Sequence, residues 1–245
     1  DLHWMVHSFP TRRSSDLIGA TIGVSLVRRL AAPAPGTAAA PAPTSAPKVE
    51  AHLAEGRRLL AAADLDGAGA AVTKASALAE SDPAVLAALA EIETVRADFV
   101  WLRLRLLDPS STERVEATAR ELRQRVDRAR SAVDAAAAPP VPESTSRRLR
   151  VDLLRLEGRV PEARELVVPL AERVSEPETA YVLGALDLAD STPAFRSAAA
   201  RLRVAAAGEG RLGRARAALV YALARAGDLD AARRELALLT TATAA

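Results

Sequence analysis

Gly208, Gly210 and Gly213 spell G-x-G-x-x-G, with Ala217 four residues further on. At that spacing a backbone loop can admit a pyrophosphate and lead straight into a helix. The chemistry also requires a strand before the glycines and, after the helix, a second strand ending in an acidic residue. Here Ala198 to Ala207 reads as helix, GDLDAARREL opens another helix, and 32 residues follow Gly213. The glycines are therefore expected to form a turn between helices. Other chemistry lacks its parts. His52 is the single histidine after residue 17, and cysteine is absent, so a thiolate nucleophile, a Ser-His-Asp triad and a Cys- or His-based metal site have no members to draw on. Glu116 and Glu121 have Arg120 and Arg125 four residues later, the spacing of solvated pairs on a helix face. The basic run Arg120, Arg123, Arg125, Arg128 and Arg130 is interleaved with Glu121 and Asp127, which favours a solvated face over a phosphate or lipid contact. No catalytic, cofactor-binding or metal-binding set assembles; neither an enzyme nor a small-molecule substrate is expected.

The elements that carry these residues are expected to be helical. Hydrophobic residues make up 49% of the chain and aromatics 3%, with Ala, Leu and Val dominant and no strand-like blocks of Val, Ile, Thr and Tyr, a composition suited to close-packed helices. Asp1 to Leu17 back-translate codon by codon into a sequencing-library adapter, so they read as a translated artefact to be set aside before fold reasoning. The genuine sequence is expected to begin at Ile18, at a cut. The net charge of +2 becomes −1 from Val49 onward, because residues 1–17 are balanced and Arg28, Arg29 and Lys48 meet no acid in residues 18–48. Such a body carries no electrostatic footprint for nucleic acid.

Ile18 to Val27 is uncharged and apolar and is followed at once by Arg28 and Arg29. That is how a membrane span meets an interface, and residues 18–30 are expected to be the remnant of a transmembrane helix; a signal-peptide core or a buried helix end are the alternatives. Residues 31–48 are rich in Ala, Pro, Ser and Thr and read as a semi-rigid linker. A membrane-associated, single-pass protein follows from that order, with the side of the membrane open.

From residue 49 a pattern recurs: a small or turn residue, an apolar residue two later, Ala three after that, and an aliphatic residue four further on. Ala63, Leu65, Ala68 and Val72 form one copy, and Gly158, Val160, Ala163 and Val167 another; Pro193, Phe195, Ala198, Leu202 and Gly227, Leu229, Ala232, Leu236 complete the set. The last three alanines are 35 and 34 residues apart. Gly158 and Gly227 can take the left-handed conformation that ends one helix, and Asp64 and Asp228 can start the next. The alanine marks the closest approach of the two helices, and the aliphatic residue one turn on shares its buried face. Residues 84–138 depart from the period: Leu89, Ile92, Phe99, Leu102 and Leu106 suggest one long helix, and Val115, Leu122, Val126, Ala129 and Val133 a second. Asp108-Pro109 separates them, and Ser110 with Glu113 offers a capping box. Trp101 to Leu107 also alternates like a strand.

With a period of 34 residues and Ala68, Ala163, Ala198 and Ala232 in place, the chain resembles the tetratricopeptide-repeat (TPR) family, in a divergent, alanine-rich bacterial form. Leu183 and Gly184 match the family's Leu-Gly pair, and Pro83 and Pro177 lie near its closing proline, whereas His52 and Ala180 stand where a Trp is usual. The resemblance implies an all-α fold, a TPR-like α-solenoid of antiparallel helical hairpins. It divides the chain into N-terminal hairpins (residues 49–138), a Pro-rich break (139–143) and three further hairpins (144–245). It also implies a protein-interaction scaffold, tethered to a membrane, that binds a peptide or protein partner in a concave groove lined by first helices. By register the groove residues are Arg148, Asp152, Arg155, Tyr221 and Arg225. The alternative is the regulatory or docking tail of a larger membrane enzyme, such as a kinase, whose catalytic domain precedes Ile18.

Overall fold

The computed structural model describes residues 46–137, 141–208 and 212–242, and among them the secondary structure is helix, in ten α-helices and one 3-10 segment, with no strand. The expected all-α fold is what the chain adopts. The adapter segment, the span remnant at residues 18–30 and residues 31–45 of the linker lie outside the described residues, as do residue 138 and residues 139–140 of the Pro-rich break.

The first hairpin joins α1 (Ala46–Ala61) to α2 (Leu65–Leu78). Pro47 sits in the first turn of α1, where its missing N–H costs nothing, so the last three linker residues belong to the helix. The α1 chain reverses through Ala63, which takes a left-handed φ of 61°. Asp64 N–H then donates to the Leu59 carbonyl at 2.9 Å, and the Asp64 carboxylate accepts from Gly67 N–H at 2.8 Å to cap α2. The same stop closes α5 (Glu143–Leu156) and α9 (Leu212–Arg225). There Gly158 and Gly227 have φ of 78° and 85°, with Arg159 N–H on Leu154 and Asp228 N–H on Leu223.

The long hairpin α3 (Pro83–Leu106) and α4 (Thr112–Ala137) occupies the stretch where the period lapses. Asp82 caps α3, accepting from Ala84 and Val85 N–H, and Pro83 follows at the first helical position. The alternation of Trp101 to Leu106 is absorbed into α3, because one face of a buried helix and one face of a strand both accept such a short run. The expected capping box at Ser110 is displaced. Asp108 accepts the Ser110 N–H instead, and helix hydrogen bonding begins with Val115 N–H on the Ser111 carbonyl.

Beyond α5, α6 (Val160–Val167) is short, and the chain continues as a 3-10 segment, Val168–Arg173. Pro169 cannot donate to the preceding turn, so the α-helix stops there. Next come α7 (Pro177–Ala189), α8 (Phe195–Ala207), α9 and α10 (Leu229–Ala242). Each pair packs within itself, and α2, α4, α6 and α8 also pack on the first helix of the following pair. Every residue of α7 from Thr179 to Leu188 is buried, as expected for a helix covered on all sides.

The alanines of the repeat sit where expected: Ala68, Ala163 and Ala198 are 0% exposed and Ala232 6%. A Cβ on Gly184 would stand 2.8 Å from Leu202 Cγ and 3.3 Å from the Ala198 carbonyl, which is the close approach that the small residues permit. The last copy departs from the pattern, since Leu229 and Leu236 are 54% and 46% exposed; among the described residues α10 packs mainly on α9. A large core runs from α3 to α10, and a smaller cluster of Val49, Leu53, Ala68, Val72, Ala75, Val85 and Ile92 joins the first hairpin to the N-terminal half of α3.

The single-pass, membrane-associated reading requires correction. Among the described residues no helix is long and apolar enough to cross a membrane. The two longest, α3 and α4, interrupt their apolar positions with charge, including Glu91, Arg96, Asp98 and Arg103 in α3, and they bury their apolar faces against protein.

Candidate functional site

Four first helices, α3, α5, α7 and α9, bring ionic and aromatic side chains together in the interior. Asp98 on α3 and Asp152 and Arg155 on α5 are 1%, 3% and 1% exposed. Arg155 donates to Asp98 at 2.8 Å and to Asp152 at 3.0 and 2.7 Å. Arg214 from α9 donates to Asp98 through Nε at 2.8 Å and to Asp152 through Nη2. Tyr181 on α7 donates its hydroxyl to Asp98, while the Arg214 guanidinium lies 3.9 Å from the centre of the Tyr181 ring. Trp101, one turn beyond Asp98, has the Arg155 guanidinium 4.9 Å from its ring centre. The network thus ties residues 57, 83 and 116 positions apart.

Two acids and two guanidiniums balance in this interior. Burial raises the pKa of Asp152, but Arg214 and Arg155 outweigh it and hold the carboxyl below its ordinary range. Burial likewise lowers Arg155 and Arg214, and Asp98 and Asp152 more than reverse the effect. One donor is left over, for Arg155 Nη1 is buried without a hydrogen-bond acceptor.

The groove residues expected from register are divided by this arrangement. Asp152 and Arg155 belong to the buried network, and Tyr221 is 6% exposed; for these three the expected open groove is closed, because α3 crosses close enough to touch α9. Arg148 is held by Glu178 at 3.1 Å, with Glu176 and Thr145 further off. Arg225 is exposed and stands 5.2 Å from the centre of the Phe195 ring.

Sequence reasoning missed Asp98, Trp101, Tyr181 and Arg214. Asp98 lies in ADFVWL, Asp152 in RVDLLR and Arg155 in LLRLE: an ionic residue among apolar neighbours was the available signal. Gly208 and Gly213 of the G-x-G-x-x-G stretch act as packing residues. A Cβ on Gly208 would lie 2.5 Å from Pro177 and one on Gly213 2.8 Å from Ala63 Cβ, while Gly210 lies outside the described residues. His52 is half-buried on α1, and among the described residues no group of three His, Cys, Asp or Glu is placed to hold a metal ion.

Where α3 meets α9, the rim of the interior has two features. An apolar cleft of about 370 Å³ is lined by Phe99, Val100, Leu102, Arg103, Leu106 and Ala217, and Leu106 is 69% exposed. Beside it, Arg105 lies 4.1 Å from the centre of the Trp101 ring and neighbours Tyr221, whose ring meets Phe195 edge-on at 6.2 Å.

Compared with protein-family models, curated proteins and solved structures, the chain matches none of them.

Proposed function

We propose that this chain is a TPR-like α-solenoid scaffold that binds a protein or peptide partner, and that the partner docks at the α3–α9 rim. The observation that carries this reading is the cleft between Phe99, Leu102, Leu106 and Ala217, an apolar hollow whose rim carries an exposed leucine. Its size suits one bulky apolar side chain, and Arg105, adjacent in the chain to the lining residue Leu106, favours a segment that also carries Asp or Glu. The stacking of successive pairs, in which a second helix packs on the next first helix, and the 34-residue spacing support the solenoid.

A selection of short random peptides on the immobilised chain tests the proposal. The winners are expected to combine an acid with a bulky apolar residue. By fluorescence polarisation, Ala217→Arg, which fills the cleft, should weaken them by about tenfold or more, equivalent to about 1.4 kcal/mol. Peptides that bind Ala217→Arg and Leu106→Asp as well as the original chain would sink the assignment, and so would a selection with no saturable binder.

A further inference from the structure

We propose that Arg105 and Arg225, with Tyr221 and the spare Nη1 of Arg155, form a binding site for a small oxyanion at the C-terminal ends of α3 and α9. The charge inventory leads there. Asp98 and Asp152 are each shared by Arg155 and Arg214, so those four groups cancel. Arg105 and Arg225 add two cations, and among the described residues no carboxylate pairs with either. The C-terminal ends of the two helices supply roughly half a negative charge each, which leaves about one positive charge unmatched. A half-buried guanidinium in that state is costly, and a mobile anion is the simplest way to relieve it.

Three further observations point to the same place. Arg105 and Arg155 share one ring, lying 4.1 and 4.9 Å from the centre of Trp101; stacking of this kind uses the face of a guanidinium and leaves its N–H edge for an oxyanion. Arg155 Nη1 is a buried donor with no acceptor, on a side chain 1% exposed. Burial holds Arg105 below its ordinary pKa, Tyr221 opposes that, and the fields of Arg155 and Arg225 add to the depression. Arg105 therefore lies within the fields of both Arg155 and Arg225, and the exposed Arg225 marks the way in from solvent.

The required ligand chemistry is an oxyanion with two or more acceptor oxygens, met by phosphate or by a carboxylate. It concerns a free anion and stands whether or not a peptide occupies the neighbouring cleft. The test uses the whole chain labelled with nitrogen-15. Inorganic phosphate and acetate are titrated separately, with sodium chloride at matched ionic strength as reference, and the Trp101 indole N–H and the Arg105 Nε–H are followed by NMR.

Phosphate, acetate or both should move these signals saturably, and which of them does so identifies the acceptor. Arg105→Gln should weaken the effect by about tenfold or more, as expected for a charged hydrogen-bonding partner. Arg225 is exposed, so the fold of Arg225→Gln is safe, and this variant should weaken the effect by a few-fold, whereas Arg103→Gln, two residues before Arg105 and paired instead with Glu121 of α4, should leave it unchanged. The proposal is overturned if chloride reproduces the shifts, or if both Arg105→Gln and Arg225→Gln bind as the original chain does.

Discussion

Asp98 shows how much a single buried carboxylate can hold. It accepts from Arg155, Arg214 and Tyr181, which come from three other helices. Asp98→Asn leaves two guanidiniums short of charge in an interior that water does not reach, and the expected loss is about 3–5 kcal/mol, read from urea unfolding. A loss below about 1 kcal/mol would mean that the network is a passive passenger. The exposed pair Arg58–Glu55 is the contrast: at 66% and 46% exposure its removal should leave the urea midpoint essentially unchanged, because solvent screens the pair. Acid should expose the same chemistry. The folded pKa of Asp152 lies below that of an unfolded aspartate, so its contribution is complete above about pH 3.9 and is lost as pH falls through the folded value. Urea midpoints measured between pH 5 and pH 2 should fall more steeply for the original chain than for Asp152→Asn, in which that carboxylate no longer titrates. At Ala63 the direction reverses. Its left-handed φ of 61° costs an L-residue roughly 1–2 kcal/mol, so Ala63→Gly should raise stability by about 1 kcal/mol, whereas the matching Gly227→Ala should lower it.

Helix pairs are the scale at which the sequence was most legible. The recurring small–apolar–Ala–aliphatic pattern located Ala68, Ala163, Ala198 and Ala232 because small residues at a helix crossing are a local requirement, repeated wherever the crossing repeats. Ala198 and Gly184 make the constraint testable: with the Ala198 carbonyl 3.3 Å from a Cβ placed on Gly184, there is no room for three more carbons. Ala198→Leu should cost about 1–3 kcal/mol by overpacking, measured as a shift in thermal midpoint, and a neutral result would mean that α7 and α8 can separate freely. The breaks in the helices were harder to read. Pro169 turns α6 into a 3-10 segment, and Asp108 takes the Ser110 N–H that a capping box would have used. Both outcomes depend on which of several local hydrogen bonds wins, and residue spacing does not decide that. The interior network was hard to read for a different reason: Asp98, Asp152, Arg155, Tyr181 and Arg214 meet only once four helices are side by side, and an ionic residue among apolar neighbours, as at Asp98 and Arg155, does not say which partners it will find.

Across the whole molecule the two hydrophobic clusters predict unequal stability. The first hairpin is held by a few aliphatic residues shared with the N-terminal half of α3, whereas the rest of α3 belongs to the large core that also contains α7. α3 is 24 residues long because it serves both. Opening α1 and α2 exposes the small cluster alone, while exposing the amides of α7 requires α3, α5 and α9 to separate and the ionic network to lose its partners. Native-state hydrogen exchange should therefore find two levels, with α1 and α2 exchanging through a partial opening of lower free energy and α7 only through global unfolding. Asp98→Asn sharpens the distinction. It should lower the protection of α7 by the full loss in global stability and leave the opening of α1 and α2 nearly unchanged, since Asp98 takes its hydrogen bonds from α5, α7 and α9. A common exchange free energy for α1, α2 and α7 in the original chain would show that the small cluster is strong enough to fold and unfold with the large one.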